Sequence, residues 1–140
     1  MLEKKIGTAT PDKLLFHGTS STDPALIYNG EFGFDMRFCS NGMWGIAIYF
    51  AEFASFCDQH YPYKNSLGYK QVFLARVAIG NCVHLDANFS LRKPPAKNSI
   101  NNMGFQEDYD TVSGDHPWKS KVYMLYENGR AYPEYVITYK

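Results

Sequence analysis

Residues 42–52, GMWGIAIYFAE, are the stretch of the chain that decides the fold. Two glycines punctuate its first half, and the apolar residues 46–50 that follow predict a strand. Residues 51–61 then carry apolar side chains at helical spacing, which predicts a helix directly after that strand. Tyr49 is therefore expected near the end of a strand, just before a helix.

A second informative stretch is residues 14–21, LLFHGTSS. Its apolar run predicts a buried strand that ends abruptly at His17 and Gly18. Because glycine has no Cβ, the backbone at Gly18 leaves room for a ligand beside the imidazole of His17. A third stretch, residues 129–139, GRAYPEYVITY, places Glu134 on a strand among apolar and aromatic neighbours.

The dipeptide Asn128-Gly129 stands between two β-rich runs and predicts a hairpin that pairs them. Asp23 before Pro24, with Gly30 beyond, predicts a short helix with both ends defined. The remaining chain predicts a strand over residues 71–79, a long surface loop over 86–106 and a polar turn over 113–120.

The composition is that of one globular domain of 140 residues. Fourteen basic residues balance fourteen acidic ones, which argues against an extended nucleic-acid face or a polybasic membrane patch. Three widely spaced cysteines, Cys39, Cys57 and Cys82, favour neither a disulfide framework nor a zinc site. A reducing intracellular compartment, cytoplasm or nucleus, is therefore expected, as are the absence of a membrane span and a monomeric state.

Taken singly, the three stretches have ordinary structural explanations. Together, and in this order, they resemble the catalytic domain of the poly(ADP-ribose) polymerase family, the His-Tyr-Glu class of ADP-ribosyltransferases. The resemblance spans residues 14–139 and is closest to the tankyrase-like and mono-ADP-ribosylating branches. It implies an α+β fold in which two small, mostly antiparallel sheets pack with two short helices around an NAD cleft. We expect residues 1–12 to be a polar lead-in and residues 13–140 to be the catalytic domain.

The resemblance also implies roles for three catalytic residues. His17 would bond a ribose hydroxyl of NAD, and Tyr49 would lie against the nicotinamide ring. Glu134 would bond the ribose 2′-hydroxyl and stabilise the oxocarbenium-like transition state. The backbone of Gly18 would hold the nicotinamide carboxamide.

Four further NAD contacts come from the same resemblance. Thr19 and Asp23 match positions on the adenosine side. Cys57 stands where the family carries a serine that donates to the carboxamide, and a thiol is a weaker donor. Ser55 is the alternative donor, provided that the helix is rotated slightly.

The second aromatic wall of the pocket falls at His60 or at its neighbour Tyr61. Phe56 replaces a lysine of the polymer-forming members, and we therefore expect single-unit transfer slightly more than chain formation. The predicted reaction uses NAD as co-substrate, without a metal, to modify an acceptor. A protein acceptor is favoured and a nucleic-acid end stays open; NAD glycohydrolysis and a binding module without chemistry are the alternatives.

Overall fold

The computed structural model describes residues 11–100 and 103–140, and an eight-stranded sheet dominates them. The described residues contain two α-helices, α1 (Pro24–Tyr28) and α2 (Ala54–His60), and a 3₁₀ turn at Met36–Phe38. The strands are β1 (Lys13–His17), β2 (Asn41–Gly42), β3 (Gly45–Ile46), β4 (Ile48–Ala51), β5 (Tyr63–Lys64), β6 (Lys70–Val77), β7 (Cys82–His84), β8 (Ala96–Ile100), β9 (Gln106–Asp108), β10 (Thr111–His116), β11 (Ser120–Leu125) and β12 (Ala131–Tyr139).

The order of strands in the large sheet is β12-β6-β1-β4-β11-β10-β7, with β5 also paired to β6. All of its pairings are antiparallel except that between β7 and β10. The predicted α+β class is confirmed. The arrangement differs in detail, since one large sheet and two two-stranded ribbons, β2-β3 and β8-β9, replace the expected pair of small sheets.

The central strands are buried on both faces of the sheet. Successive side chains of a strand point to opposite faces. In β4, Ile48 and Phe50 belong to one buried cluster, whereas Ala51 belongs to the other. The same alternation in β11 assigns Tyr123 to the first cluster and Val122 to the second. The buried aromatic side chains are therefore divided between two cores that share one sheet.

The predicted hairpin at Asn128-Gly129 is wrong. The strands on its two sides, β11 and β12, are separated in the sheet by β6, β1 and β4. β12 pairs with β6 instead, for example Val136 with Phe73. The Asn128 side chain accepts a bond from the Met36 amide at 2.7 Å and so joins the connection to a distant loop. This contact fixes the Asn128-Gly129 connection, although the strands on its two sides do not pair with each other. The local turn pattern does not reveal the contact.

Other local predictions need smaller corrections. The long surface loop expected over residues 86–106 contains β8 and the start of β9, which form a ribbon. The polar turn expected over residues 113–120 is shorter, because β10 continues to His116. The polar lead-in at residues 1–12 lies almost wholly outside the described residues. No helix in the described ranges is long and apolar enough to span a membrane.

A substitution at Gly114 tests the packing of the second buried cluster, which contains Trp44, Ala51 and Val122. A Cβ at Gly114 would overlap the Trp44 ring, which is 1% exposed and donates through Nε1 to the Leu85 carbonyl at 3.0 Å. Because the indole has no room to move, Gly114→Ala is expected to lower the free energy of unfolding by about 1–3 kcal/mol.

Urea unfolding of a double-mutant cycle measures this clash. Trp44→Phe removes the part of the indole that the new methyl group would meet. Gly114→Ala should therefore cost less in the Trp44→Phe background than in the wild type. An equal cost in both backgrounds would contradict the described packing.

Candidate active site

A cleft of about 650 Å³ opens where β1 and β4 end. Its volume lies within the range of small-molecule and cofactor sites. The lining includes six of the residues predicted from the sequence. They are His17, Gly18, Thr19, Tyr49, Cys57 and Tyr61.

His17 and Tyr49 are joined by a direct hydrogen bond on the cleft wall. His17 is the last residue of β1, and its Nδ1 lies 2.6 Å from the carbonyl oxygen of Tyr49 in the neighbouring strand β4. A carbonyl only accepts, so Nδ1 carries the proton and donates. The imidazole is wedged among aromatic rings, with centroids of Phe34 and Phe50 at 5.0 and 5.3 Å.

This environment sets the charge of His17. Burial lowers the pKa of His17 to about 4, and the bond to the Tyr49 carbonyl opposes this shift only in part. The ring is therefore neutral at pH 7, with its proton on Nδ1 and a free lone pair on Nε2. A neutral imidazole in this tautomer can accept a hydrogen bond from a hydroxyl group of a bound ligand.

Tyr49 is held equally firmly through its phenol. The hydroxyl donates to the Gly45 carbonyl and accepts from the Trp44 amide, each at 2.8 Å. Burial raises the pKa of Tyr49 to about 12, so the phenol is neutral. A Cβ at Gly42 would lie 2.6 Å from this hydroxyl, which explains the glycine at that position. The ring is thus a fixed, uncharged part of the cleft wall.

Gly18 is required by close packing on the far side of the cleft. A Cβ at Gly18 would lie 2.5 Å from the Tyr61 carbonyl oxygen. Two residues on, the Ser20 amide donates to that same oxygen at 2.9 Å. Burial raises the pKa of the neighbouring Cys57 thiol to about 12, although the Gly18 amide opposes this rise. Cys57 therefore presents a neutral thiol to the cleft, not a thiolate.

The other predicted NAD contacts have local structural roles. The Thr19 hydroxyl lines the cleft but donates to the Thr22 carbonyl at 2.6 Å. Asp23 is the N-cap of α1 and accepts from the Ala25 amide at 3.0 Å. Ser55 is exposed on α2, and neither it nor Asp23 lines the cleft.

Glu134 is not brought together with His17 and Tyr49. Its strand β12 is separated from β1 by β6, which puts it about 10 Å to the side at ordinary strand spacing. The carboxylate accepts from Arg76 Nε at 3.0 Å, and it is not part of the cleft lining. The predicted role of Glu134 came from the resemblance of residues 129–139 to the family, and the structure does not bring its side chain to the cleft.

Val122 is the β11 residue at the cleft, two positions along the strand pair from Tyr49. It lies on β11, paired with Ala51 of β4, and it lines the cleft. The carboxylate of the described cleft lining is Asp35, which the sequence reasoning missed. Arg37 donates to Asp35 through its side chain and its amide, and these bonds lower the pKa of Asp35 to about 2. Asp35 is therefore an ionised group already engaged by an arginine.

A second group that the sequence reasoning missed lies at the cleft mouth. His116 and Trp118 both line the cleft. His116 is the last residue of β10 and Trp118 lies in the turn that follows, and nothing in the local sequence places either near α2. His60 does not line the cleft itself but stacks on Trp118, with centroids 3.9 Å apart.

The described residues contain no group of three or more His, Cys, Asp or Glu side chains arranged to hold a metal ion. Apart from Asp35, which Arg37 engages, the polar groups described in the cleft lining include neutral imidazoles, hydroxyls and backbone amides. Such groups can form hydrogen bonds to an uncharged sugar or amide.

The α+β class, the neutral histidine at the end of β1 and the fixed tyrosine on β4 agree with the ADP-ribosyltransferase fold that the sequence predicts. Comparison with known proteins identifies the family within that class. Residues 3–140 match the profile of the poly(ADP-ribose) polymerase catalytic domain. The chain belongs to this family, and the resemblance seen in the sequence is confirmed.

Three relatives show how far the similarity extends. A probable poly(ADP-ribose) polymerase of Dictyostelium discoideum is 34% identical over 131 residues, which cover 92% of this chain and 34% of the relative. The human protein mono-ADP-ribosyltransferase PARP12 is 33% identical over 141 residues, covering 99% and 18%. Mouse protein mono-ADP-ribosyltransferase PARP11 is 29% identical over 157 residues, covering 99% and 45%. The chain thus spans less than half the length of these relatives.

The low pKa of His17 predicts a pH-dependent stability. An unfolded chain binds a proton at His17 near pH 6.5 and the folded chain only near pH 4, so stability falls as the pH falls through this window. Between pH 7 and pH 5 the wild type should lose about 2 kcal/mol more unfolding free energy than His17→Gln, which does not titrate.

Urea unfolding of both proteins at the two pH values measures this difference. Every other titrating group, including His116, is common to the pair and cancels. A wild type that loses no more stability than His17→Gln would show that the ring is not buried in its neutral form.

Proposed function

We propose that this chain transfers a single ADP-ribose unit from NAD to an acceptor and releases nicotinamide. The observation that carries the proposal is the hydrogen bond between His17 Nδ1 and the Tyr49 carbonyl. It sets two residues of the family motif side by side on one cleft wall and leaves His17 Nε2 free to accept. The names of human PARP12 and mouse PARP11 as protein mono-ADP-ribosyltransferases support the same reaction.

In the proposed reaction the protein mainly binds and orients the reacting groups. The bond between ribose C1′ and the nicotinamide nitrogen breaks, and its electron pair stays on that nitrogen. A bond forms between C1′ and the nucleophilic atom of the acceptor, whose proton passes to solvent. In this step His17 Nε2 accepts from a ribose hydroxyl and fixes the sugar. Tyr49 supplies a flat, uncharged wall for the nicotinamide ring.

The Gly18 backbone is proposed to hold the carboxamide of nicotinamide, as the resemblance to the family implies, and its position in the cleft lining supports this role. Tyr61 lines the same part of the cleft as Cys57 and gives it an aromatic wall. Cys57 is a neutral thiol and contributes a weak hydrogen bond at most, so its replacement of a hydroxyl costs about 1 kcal/mol of nicotinamide binding.

The lack of a strong base in the described cleft lining favours transfer of a single ADP-ribose unit. Chain growth uses a ribose hydroxyl as nucleophile, and such a hydroxyl reacts faster when a base accepts its proton. Val122 is apolar, Asp35 is engaged by Arg37, and Glu134 lies outside the cleft. His17, with a pKa near 4, is a weak base. The site thus supports a first transfer better than elongation.

A protein acceptor is proposed on the strength of the relatives' names. An intracellular location is proposed from the cysteine usage, and the three cysteines are free thiols in this structure.

Incubation with NAD labelled at the adenine-side phosphate, followed by denaturing electrophoresis and nicotinamide measurement, tests the function. The wild type should give discrete labelled bands and equimolar nicotinamide. His17→Ala should lose at least 100-fold in both signals, as expected for removal of one organising hydrogen-bonding group. Glu134→Gln should retain activity within about twofold, because its side chain lies outside the cleft.

Each labelling result that differs from these expectations contradicts a different part of the proposal. An upward smear would contradict single-unit transfer, and nicotinamide without any labelled macromolecule would indicate a glycohydrolase. Loss of both signals in Glu134→Gln would restore the carboxylate role predicted from the sequence and contradict the site described above. NAD binding without nicotinamide release would mean that the domain has lost its chemistry.

A further inference from the structure

Five aromatic rings meet at the mouth of the cleft and form what we call the ring rim. They come from α2, from the residue that follows it, and from the end of β10 with the turn after it. They are Phe56, His60, Tyr61, His116 and Trp118. His116 contacts Phe56 and Trp118 with ring centroids at 4.9 and 4.8 Å. Trp118 is nevertheless 49% exposed, so part of its ring faces solvent beside the site.

His116 adds a directed hydrogen-bond donor to this face. Its Nδ1 accepts from the Trp118 amide at 3.1 Å, so that nitrogen carries no proton. Burial lowers the pKa of His116, and the nearby His60 lowers it further. The ring is therefore neutral at pH 7, with its proton on Nε2. His17 presents an accepting Nε2 to the same cleft, whereas His116 presents a donating one.

The charged residues around the ring rim indicate which class of macromolecule it binds. The Asp115 carboxylate lies 3.1 Å from His84 Nε2. Lys119 is the positively charged residue of the turn between β10 and β11. Lys121 alternates with Val122 along β11 and lies over the Tyr123 ring at 5.3 Å, on the other face of the sheet. A single lysine cannot supply the several phosphate contacts that binding of a nucleic-acid strand requires. An aromatic face with one neutral donor is typical of a protein-binding hot spot.

We propose that the ring rim binds the acceptor of the transfer reaction as a peptide segment. The exposed face of Trp118 packs on an apolar or planar side chain of that segment, and His116 Nε2–H donates to one of its carbonyl oxygens. Val122, which lines the cleft between the rim and Tyr49, leaves an uncharged path from the rim to the reacting ribose. This inference rests on the proposed function and specifies the acceptor side of the same site.

Transfer to β-casein, a disordered protein that offers extended segments, measures the contribution of the rim. Trp118→Ala is expected to raise KM for casein at least tenfold and to lower the ratio of casein label to nicotinamide released by a similar factor. His116→Phe keeps the ring but removes the donor, and it should raise KM for casein about three- to tenfold. Trp118→Phe, which keeps an aromatic face, should recover most of the loss.

Phe53→Ala is the matched control, because Phe53 is an equally exposed ring just before α2 that does not line the cleft. It should leave KM for casein and the transfer ratio within twofold of the wild type. Equal KM values for Trp118→Ala and the wild type would overturn the proposal. Labelling of a single-stranded RNA with casein untouched would overturn it too.

The proposed function and this inference fail in different ways. If the wild type releases no nicotinamide from NAD, the proposed function is wrong. If the wild type releases nicotinamide and labels casein but the rim variants keep the wild-type KM, only the inference is wrong. If the wild type releases nicotinamide but labels no casein, the peptide acceptor is rejected while NAD cleavage stands.

Discussion

The site depends on one hydrogen bond, from His17 Nδ1 to the Tyr49 carbonyl. It joins the last residue of β1 to β4, residues 32 positions apart in sequence, at the point where the cleft opens. It fixes the imidazole tautomer and determines which nitrogen faces the ligand. The surrounding rings of Phe34, Phe50 and Phe73 then keep that imidazole neutral by excluding water.

Strand alternation explains how the same sheet forms both a core and a site. Phe50 and Tyr123 fill one cluster, while their neighbours Ala51 and Val122 face the other, where the cleft lies. Small and apolar side chains at these two paired positions leave an uncharged floor. Polar function is therefore confined to the edges of the cleft, with an accepting imidazole at His17 and a donating one at His116.

Local patterns predict local features of this protein well. The strand ending at His17, the short helix capped by Asp23 and the strand-to-helix junction after Tyr49 each depend on a few adjacent residues. Nonlocal pairing is different, because the Asn128-Gly129 pattern carries no information about which strand lies beside β12. The role of Glu134 came from the resemblance of residues 129–139 to the family, which does not show that β6 lies between β12 and β1. Val122 belongs to an ordinary apolar strand, which gives no sign that it lines the cleft. The ring rim was hidden for the same reason, since residues about sixty positions apart meet there.

The most direct test of this account is an ¹H–¹⁵N correlation spectrum of the histidine rings, recorded from pH 8 to pH 4.5 with a His17→Gln protein for assignment. The account predicts that His17 is neutral with its proton on Nδ1 and stays so to about pH 5. His116 should show the opposite tautomer, with its proton on Nε2. A His17 ring protonated on Nε2, or one that titrates near pH 6.5, would contradict the central hydrogen bond and the site built on it.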